Sequence, residues 1–177
     1  NPDDGAIWVE MAQTAMAAEN DYEIRGQAVV AALNAYQLSR TLGARTTALN
    51  VLAQAFEKTQ SYRAAINAYK ASLALSDDAQ TRAAYVDLRT RQGFRVSNNT
   101  VDTDSVSPRA CIQFSEPLVK QGVDYSSFVT LDGAAPKAIE AKGSEICVEG
   151  LVHGQRYKIA LRSGLPSSVD EPLEKQV

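Results

Sequence analysis

Residues 144–154 read SEICVEGLVHG, and the period of this stretch decides the class of the chain around it. Ile146 and Val148 fall on one side of the alternation, while Glu145, Cys147 and Glu149 fall on the other. A period of two marks a half-buried strand, and Gly150 then breaks it ahead of the glycine-containing reversal LVHGQR at 151–156. The same alternation recurs on either side. In RACIQFS (109–115), Ala110, Ile112 and Phe114 oppose Cys111, Gln113 and Ser115; in RYKIALR (156–162), Tyr157, Ile159 and Leu161 share the inner face. Further strands are predicted at 94–99, 128–132 and 137–142, with a last one starting near Leu173, and LDGAAP and AKGS supply further turns. Short alternating strands throughout residues 94–177 predict an antiparallel β-sandwich of immunoglobulin-like type.

Upstream of Gly93 the period changes. Residues 1–93 are rich in Ala, Leu and Gln, and no proline lies between Pro2 and Pro108. Apolar residues recur at helical spacing: Trp8, Met11, Ala12 and Ala15; then Val29, Ala32, Leu33 and Tyr36; then Leu49, Leu52, Ala53 and Phe56. The spacing predicts helices at 4–19, 23–42, 45–58, 61–75 and 78–91, with Gly43 as a left-handed stop after SRTL and SDDAQ capping the last helix. The chain therefore reads as α+β in two domains, 1–93 helical and 94–177 built of strands. No Pro/Ser-rich linker separates them in RTRQGFRV, so Phe94 is expected to pack at the join.

The helical half also repeats itself. Ala32, Tyr36 and Ser39 recur as Ala65, Tyr69 and Ser72, a period of 33 residues. With Leu49, Leu52, Ala53 and Phe56 ahead of Ala65 and Tyr69, the best copy spans about 46–79 and resembles a tetratricopeptide repeat. In that pattern small residues let paired helices approach and aromatics fill the space beside them. Leu49 stands where the repeat usually has tryptophan, and Asp77 where it usually has proline. A small helical bundle with incidental periodicity is the alternative.

Composition removes several function classes. The net charge is −3, with 45% hydrophobic and 22% charged residues, ordinary for a globular protein. Neither half is basic and no Lys/Arg stripe appears, so nucleic acid is not an expected partner. No apolar run reaches the ~18 residues of a membrane span. The chain opens without a signal-like segment and is expected to be an excised piece of something longer.

No catalytic or metal constellation stands out. The single histidine, His153, sits in the predicted turn LVHGQ, with no G-x-S-x-G elbow to partner it. The two cysteines lack a close-spaced metal motif, and DTDSV at 102–106 lacks the glycine and distal glutamate of a calcium loop. The pairs Asp3–Asp4 and Asp77–Asp78 read as helix-start acids, and NNT at 98–100 as an idle glycosylation sequon. The expectation is a non-enzyme with no catalytic residues, no cofactor and no metal.

The second half resembles the macroglobulin-like domains of bacterial alpha-2-macroglobulins. The resemblance lies in CIQFSEPL (111–118), YSSFVTLDG (125–133), ICVEGLVHGQRYKIALRSGLP (146–166) and the final EPLEKQV (171–177). YKASLALSDDAQTRAAYVDLRTRQGFRV (69–96) is similar to the tetratricopeptide-like region that some proteobacterial members carry before their first such domain. The family's thioester forms within Cys-x-Glu-Gln, but CVEG ends in Gly150, which has no amide to condense with Cys147, so no thioester is expected here.

The resemblance implies a non-catalytic N-terminal part of a periplasmic protease trap. Its partners would be other macroglobulin-like domains of the same chain, with target proteases or an envelope protein as the alternatives, and any membrane attachment would lie elsewhere in the protein. An envelope adaptor with no inhibitory role is the alternative. Strand alternation places Cys111 and Cys147 on the outer, exposed face of strands that neighbour each other in an immunoglobulin-like sheet. The oxidising compartment implied by the family would close them into a disulfide. Two unpaired thiols, one of them buried against the helical half, are the other outcome.

Overall fold

The computed structural model describes residues 4–18, 21–104 and 107–177. It is an α+β protein that divides into two compact units, residues 1–93 and 94–177. Among the described residues the first unit holds five helices: α1 (Gly5–Met16), α2 (Tyr22–Leu38), α3 (Leu42–Lys58), α4 (Tyr62–Leu75) and α5 (Ala79–Gln92). Each helix packs on the next, and α1 also reaches α3. Short connections between packed neighbours run them antiparallel.

Side-chain oxygens start four of these helices. Asp4 accepts from the Ala6 N–H, Asp21 from Glu23 and Ile24, Thr41 from Ala44, and Asp78 from Thr81. Thr41 overturns one sequence expectation. Helix α2 stops at Leu38, where the Ser39 hydroxyl donates back to the Ala35 carbonyl at 2.7 Å, and Thr41 begins a new helix. Gly43 therefore lies in the first turn of α3 and is no left-handed stop. Of the expected acidic pairs, Asp78 caps α5, Asp77 pairs with Arg82, and Asp4 caps α1; Asp3 lies outside the described residues.

The Asp78 cap gives a pH expectation. Its carboxyl is held below the usual range first by the Thr81 backbone N–H, at 2.7 Å, and then by the Thr81 hydroxyl. A depressed folded value stabilises the protein fully above the unfolded value and is lost as pH falls through the folded one. Thermal melts followed at the helical circular-dichroism band should thus weaken below about pH 4. Asp78→Asn, which keeps a capping oxygen, should flatten that acid limb; an unchanged limb would remove Asp78 from its cause.

The helical core is built on small residues. Ala12, Ala32, Ala53, Ala65, Ile66 and Leu88 are wholly buried, with Val51, Leu52 and Tyr69 nearly so. A Cβ on Gly5 would stand 3.3 Å from the Ala35 carbonyl, so α1 crosses α2 at a point where a side chain is crowded. On α2 the buried face is Ala28, Ala31, Ala32 and Ala35, whereas the expected face members Leu33 and Tyr36 remain 39% and 38% exposed. Met11 on α1 is likewise exposed. Small side chains hold these helices close, and the larger ones lie at the rim.

The second unit contains, among the described residues, β1 (Val96–Asp102), β2 (Arg109–Phe114), β3 (Val129–Leu131), β4 (Ile139–Lys142), β5 (Glu145–Val148) and β6 (Ile159–Leu161), with a 3-10 turn at Tyr125–Phe128. All pairings are antiparallel. One sheet has the order β1-β2-β5-β4 and the other pairs β3 with β6. The predicted first strand is displaced toward the C-terminus and takes in the NNT segment. The predicted last strand is reduced to a bridge between Pro166 and Pro172 and ladder contacts near Leu173 and Val177. Gly143, at φ 61°, opens the two-residue turn between β4 and β5, a conformation that favours glycine at the first turn position.

The two sheets share one core. Ile112, Phe114, Ile146 and Val148 from the first meet Val129 and Leu161 from the second, joined by Phe94, Leu118, Tyr125, Leu165 and Leu173. Phe94 stacks on Phe114 with centroids 5.2 Å apart, and its N–H donates to the buried Glu171 carboxylate at 3.1 Å. Tyr125 clasps two loops: its hydroxyl accepts from the Val119 N–H at 2.8 Å and donates to the Pro166 carbonyl at 3.1 Å. Tyr125→Phe leaves both groups short of that partner, and denaturant unfolding should show a loss of about 1–3 kcal/mol. A wild-type midpoint would remove the clasp.

Candidate functional site

The chemistry-bearing side chains of the second unit converge on one cross-strand row. Thr100 on β1 lies opposite Cys111 on β2, Cys111 opposite Cys147 on β5, and Cys147 opposite Glu140 on β4. The register brings the two cysteines face to face, and they form a disulfide across a sequence separation of 36. Both lie on the sheet face opposite the core, as the alternation requires.

They are not exposed there, however. Each cysteine is 6% accessible. Thr100 and Glu140 flank the bond within the row, and longer neighbours stand over it. A polar cleft of about 340 Å³ lies above, lined by Asp102, Arg109, Glu140, Lys142 and Glu145. Arg109 approaches Asp102 at 3.5 Å and Glu140 at 3.8 Å. Polar side chains that lie along a sheet cover the surface beneath with their aliphatic stems. Alternation alone could not reveal this cover, because the covering residues come from four strands, β1 and β2 in one stretch of sequence and β4 and β5 in another.

Glu145 completes a group with the two sulfurs, all ligand atoms lying within 4.8 Å of one another. With both sulfurs bonded to each other, this is a shielded cross-link and not a thiolate ligand set. The exposed ion pairs around it are of the kind that contributes little to stability.

A second concavity lies on the other side of the sheet. It has a volume of about 390 Å³ and is walled by Val96, Ala110, Ile112, Leu151, Tyr157 and Ile159. His153 stands exposed on its lining within a turn. No sequence signal singled out this groove, because it arises from the unequal widths of two sheets. Of the DTDSV segment, Asp102 ends β1 and pairs with Arg109, while residues 105 and 106 lie outside the described residues.

In the helical unit the repeat-packing residues come together. Leu49, Leu52 and Ala53 on α3 and Ala65 and Tyr69 on α4 are buried, and Phe56 packs partly buried against the same cluster. The Tyr69 hydroxyl donates to Glu57 Oε1 at 2.8 Å; burial first, then that carboxylate, pushes the phenol far above its ordinary value. The 33-residue period holds for the small positions only. Ala32 and Ala65 are both wholly buried, and Ser39 and Ser72 are both buried, but Tyr69 is 3% exposed where Tyr36 is 38% exposed. No protein-family model matches this chain, and no curated protein or solved structure matches it either.

Proposed function

We propose that the chain is a non-catalytic N-terminal part of a periplasmic alpha-2-macroglobulin-like protease trap. In this reading the first unit consists of tetratricopeptide-like hairpins, and the second is a macroglobulin-like β-sandwich of immunoglobulin-like type. The observation that carries the reading is the disulfide between Cys111 and Cys147, which ties two strands of the larger sheet on the face opposite the core, within the segments CIQFSEPL and ICVEGLVHGQRY that carry the family resemblance. A shielded cross-link of this kind suits an oxidising compartment. The β unit would help frame the trap beside other domains of the same polypeptide, and the helices would dock an envelope protein.

A trap leaves the captured protease able to cleave small substrates while denying it large ones. The test mixes the natural full-length protein with a protease and compares hydrolysis of a peptide ester with digestion of a folded protein. Loss of the second with retention of the first supports the trap; equal hydrolysis of both, with and without the protein, sinks it. The 177-residue chain alone should spare neither substrate and incorporate no methylamine, since Gly150 stands where a thioester needs glutamine.

One observation favours an adaptor without inhibitory role. Val30, Leu33 and Tyr36 stand at three-residue spacing on α2 and are 58%, 39% and 38% exposed. Apolar residues in such a row are a means of protein contact. Envelope proteins captured equally by the wild type and by a V30S/L33S/Y36S variant would count against this second reading.

A further inference from the structure

Strand β6 has one satisfied edge and one open edge. Toward β3, Arg162 N–H donates to the Phe128 carbonyl and Asp132 N–H to the Lys158 carbonyl, both at 2.8 Å. With Thr130 paired to Ala160 between them, the even-numbered residues of this segment turn their backbone groups to β3. Leu161 and Ile159 therefore turn theirs the other way. On that side Leu161 exchanges both bonds with Val177, at 2.8 and 3.1 Å. Ile159, one ladder step further along, has no backbone partner on that side among the described residues.

The open edge borders the 390 Å³ groove, whose floor is the core face of β1 and β2 at Val96, Ala110 and Ile112. Around it Val101, Val152 and Val177 are 62%, 55% and 61% exposed. An unpaired strand edge beside an apolar groove is a template for strand addition, with main-chain bonds supplying affinity and alternate side chains filling the groove.

We infer that this groove seats an extended strand that runs antiparallel to β6, continues the ladder begun by Val177, and is supplied by the residues following Val177 in a longer polypeptide. The inference rests on the proposed reading for the existence of that longer polypeptide. Val177 already makes the first pair of the ladder, which fixes direction and register. Alternate residues of the incoming strand then fall opposite Ile159 and Tyr157 and point to the core, so those positions are apolar and the ones between them polar. A strand tethered at Val177 also reaches the groove at an effective concentration no free peptide matches.

The test compares amide hydrogen exchange at Ile159 in the natural protein extending past Val177 and in the 177-residue chain. Ile159 should exchange near the unprotected rate in the shorter chain and at least about 100-fold more slowly in the longer one. A synthetic peptide copying the residues after Val177 should restore protection to the shorter chain as its concentration rises. Equal exchange in both chains overturns the proposal, as does a natural chain that stops at Val177. Protection that grows with the concentration of the shorter chain alone would identify a second copy as occupant and also overturn it. Exchange is read without protease, so a longer chain that protects Ile159 but traps nothing retires the trap reading and leaves the strand in place.

Discussion

The double variant C111A/C147A is expected to lose about 3–4 kcal/mol of stability in the β unit. A cross-link stabilises mainly by restricting the unfolded chain, and closing a loop across a separation of 36 residues gives that magnitude. Native packing adds to it, because each alanine leaves a space in a row where each cysteine was only 6% accessible. Exchange of the Ile112 and Ile146 amides, which lie in the strands the bond joins, reports the loss directly. Adding reductant to the wild type under mildly denaturing conditions should reproduce the variant's behaviour, and reductant should leave the variant unchanged. If the variant and the wild type open at the same denaturant concentration, the bond does not constrain the unfolded state. If both cysteines alkylate in the native, non-reduced protein, the bond is absent.

The second large effect is expected at Ile66. Its side chain is wholly buried in α4 among Ala53, Ala65, Leu52 and Tyr69, residues of the same cluster. Ile66→Ala should cost about 2–5 kcal/mol, toward the upper end if the surrounding helices cannot collapse onto the space. Alanine-lined helices already approach closely, so little movement remains to fill a cavity. Val30→Ala is the control: Val30 lies on α2 of the same unit but is 58% exposed, and its loss should fall within about 0.5 kcal/mol of zero. Trp8 packs against the same cluster and supplies the fluorescence readout. Equal midpoints for the two variants would mean that Ile66 is not a core residue.

Periodicity made the alternation of Ile146 and Val148 against Cys147 legible, because a strand with one buried face has no other way to arrange its side chains. The same logic located five helices and failed at Gly43. There a glycine after a run of helix formers looked like a stop, but capping by Thr41 and the Ser39 back-bond place the break earlier. Propensity describes a residue alone, whereas a helix end is decided by whichever neighbour satisfies the free backbone groups. The misplacement of Leu33 and Tyr36 has a related cause: α2 carries apolar residues on more than one face, and only packing selects the alanine face. The cover over the disulfide and the groove beside β6 were invisible for a different reason. Both depend on which strands become neighbours, and strand order is not written in any local pattern.

The bond from the Phe94 N–H to Glu171 spans 77 positions and sets an order of events as the chain emerges and folds. The helices of the first unit pack chiefly on their sequence neighbours, so each can settle soon after it emerges into the compartment where the chain folds. The β unit cannot do this. Its first residue waits for a carboxylate near its far end, and β2 waits for β5. Until Glu171 emerges, Phe94, Ile112 and Phe114 have only part of their core, and the growing chain carries a finished helical unit followed by a sticky, half-built one. The interval between the emergence of Phe94 and that of Glu171 is therefore when the β unit most needs shielding from its neighbours.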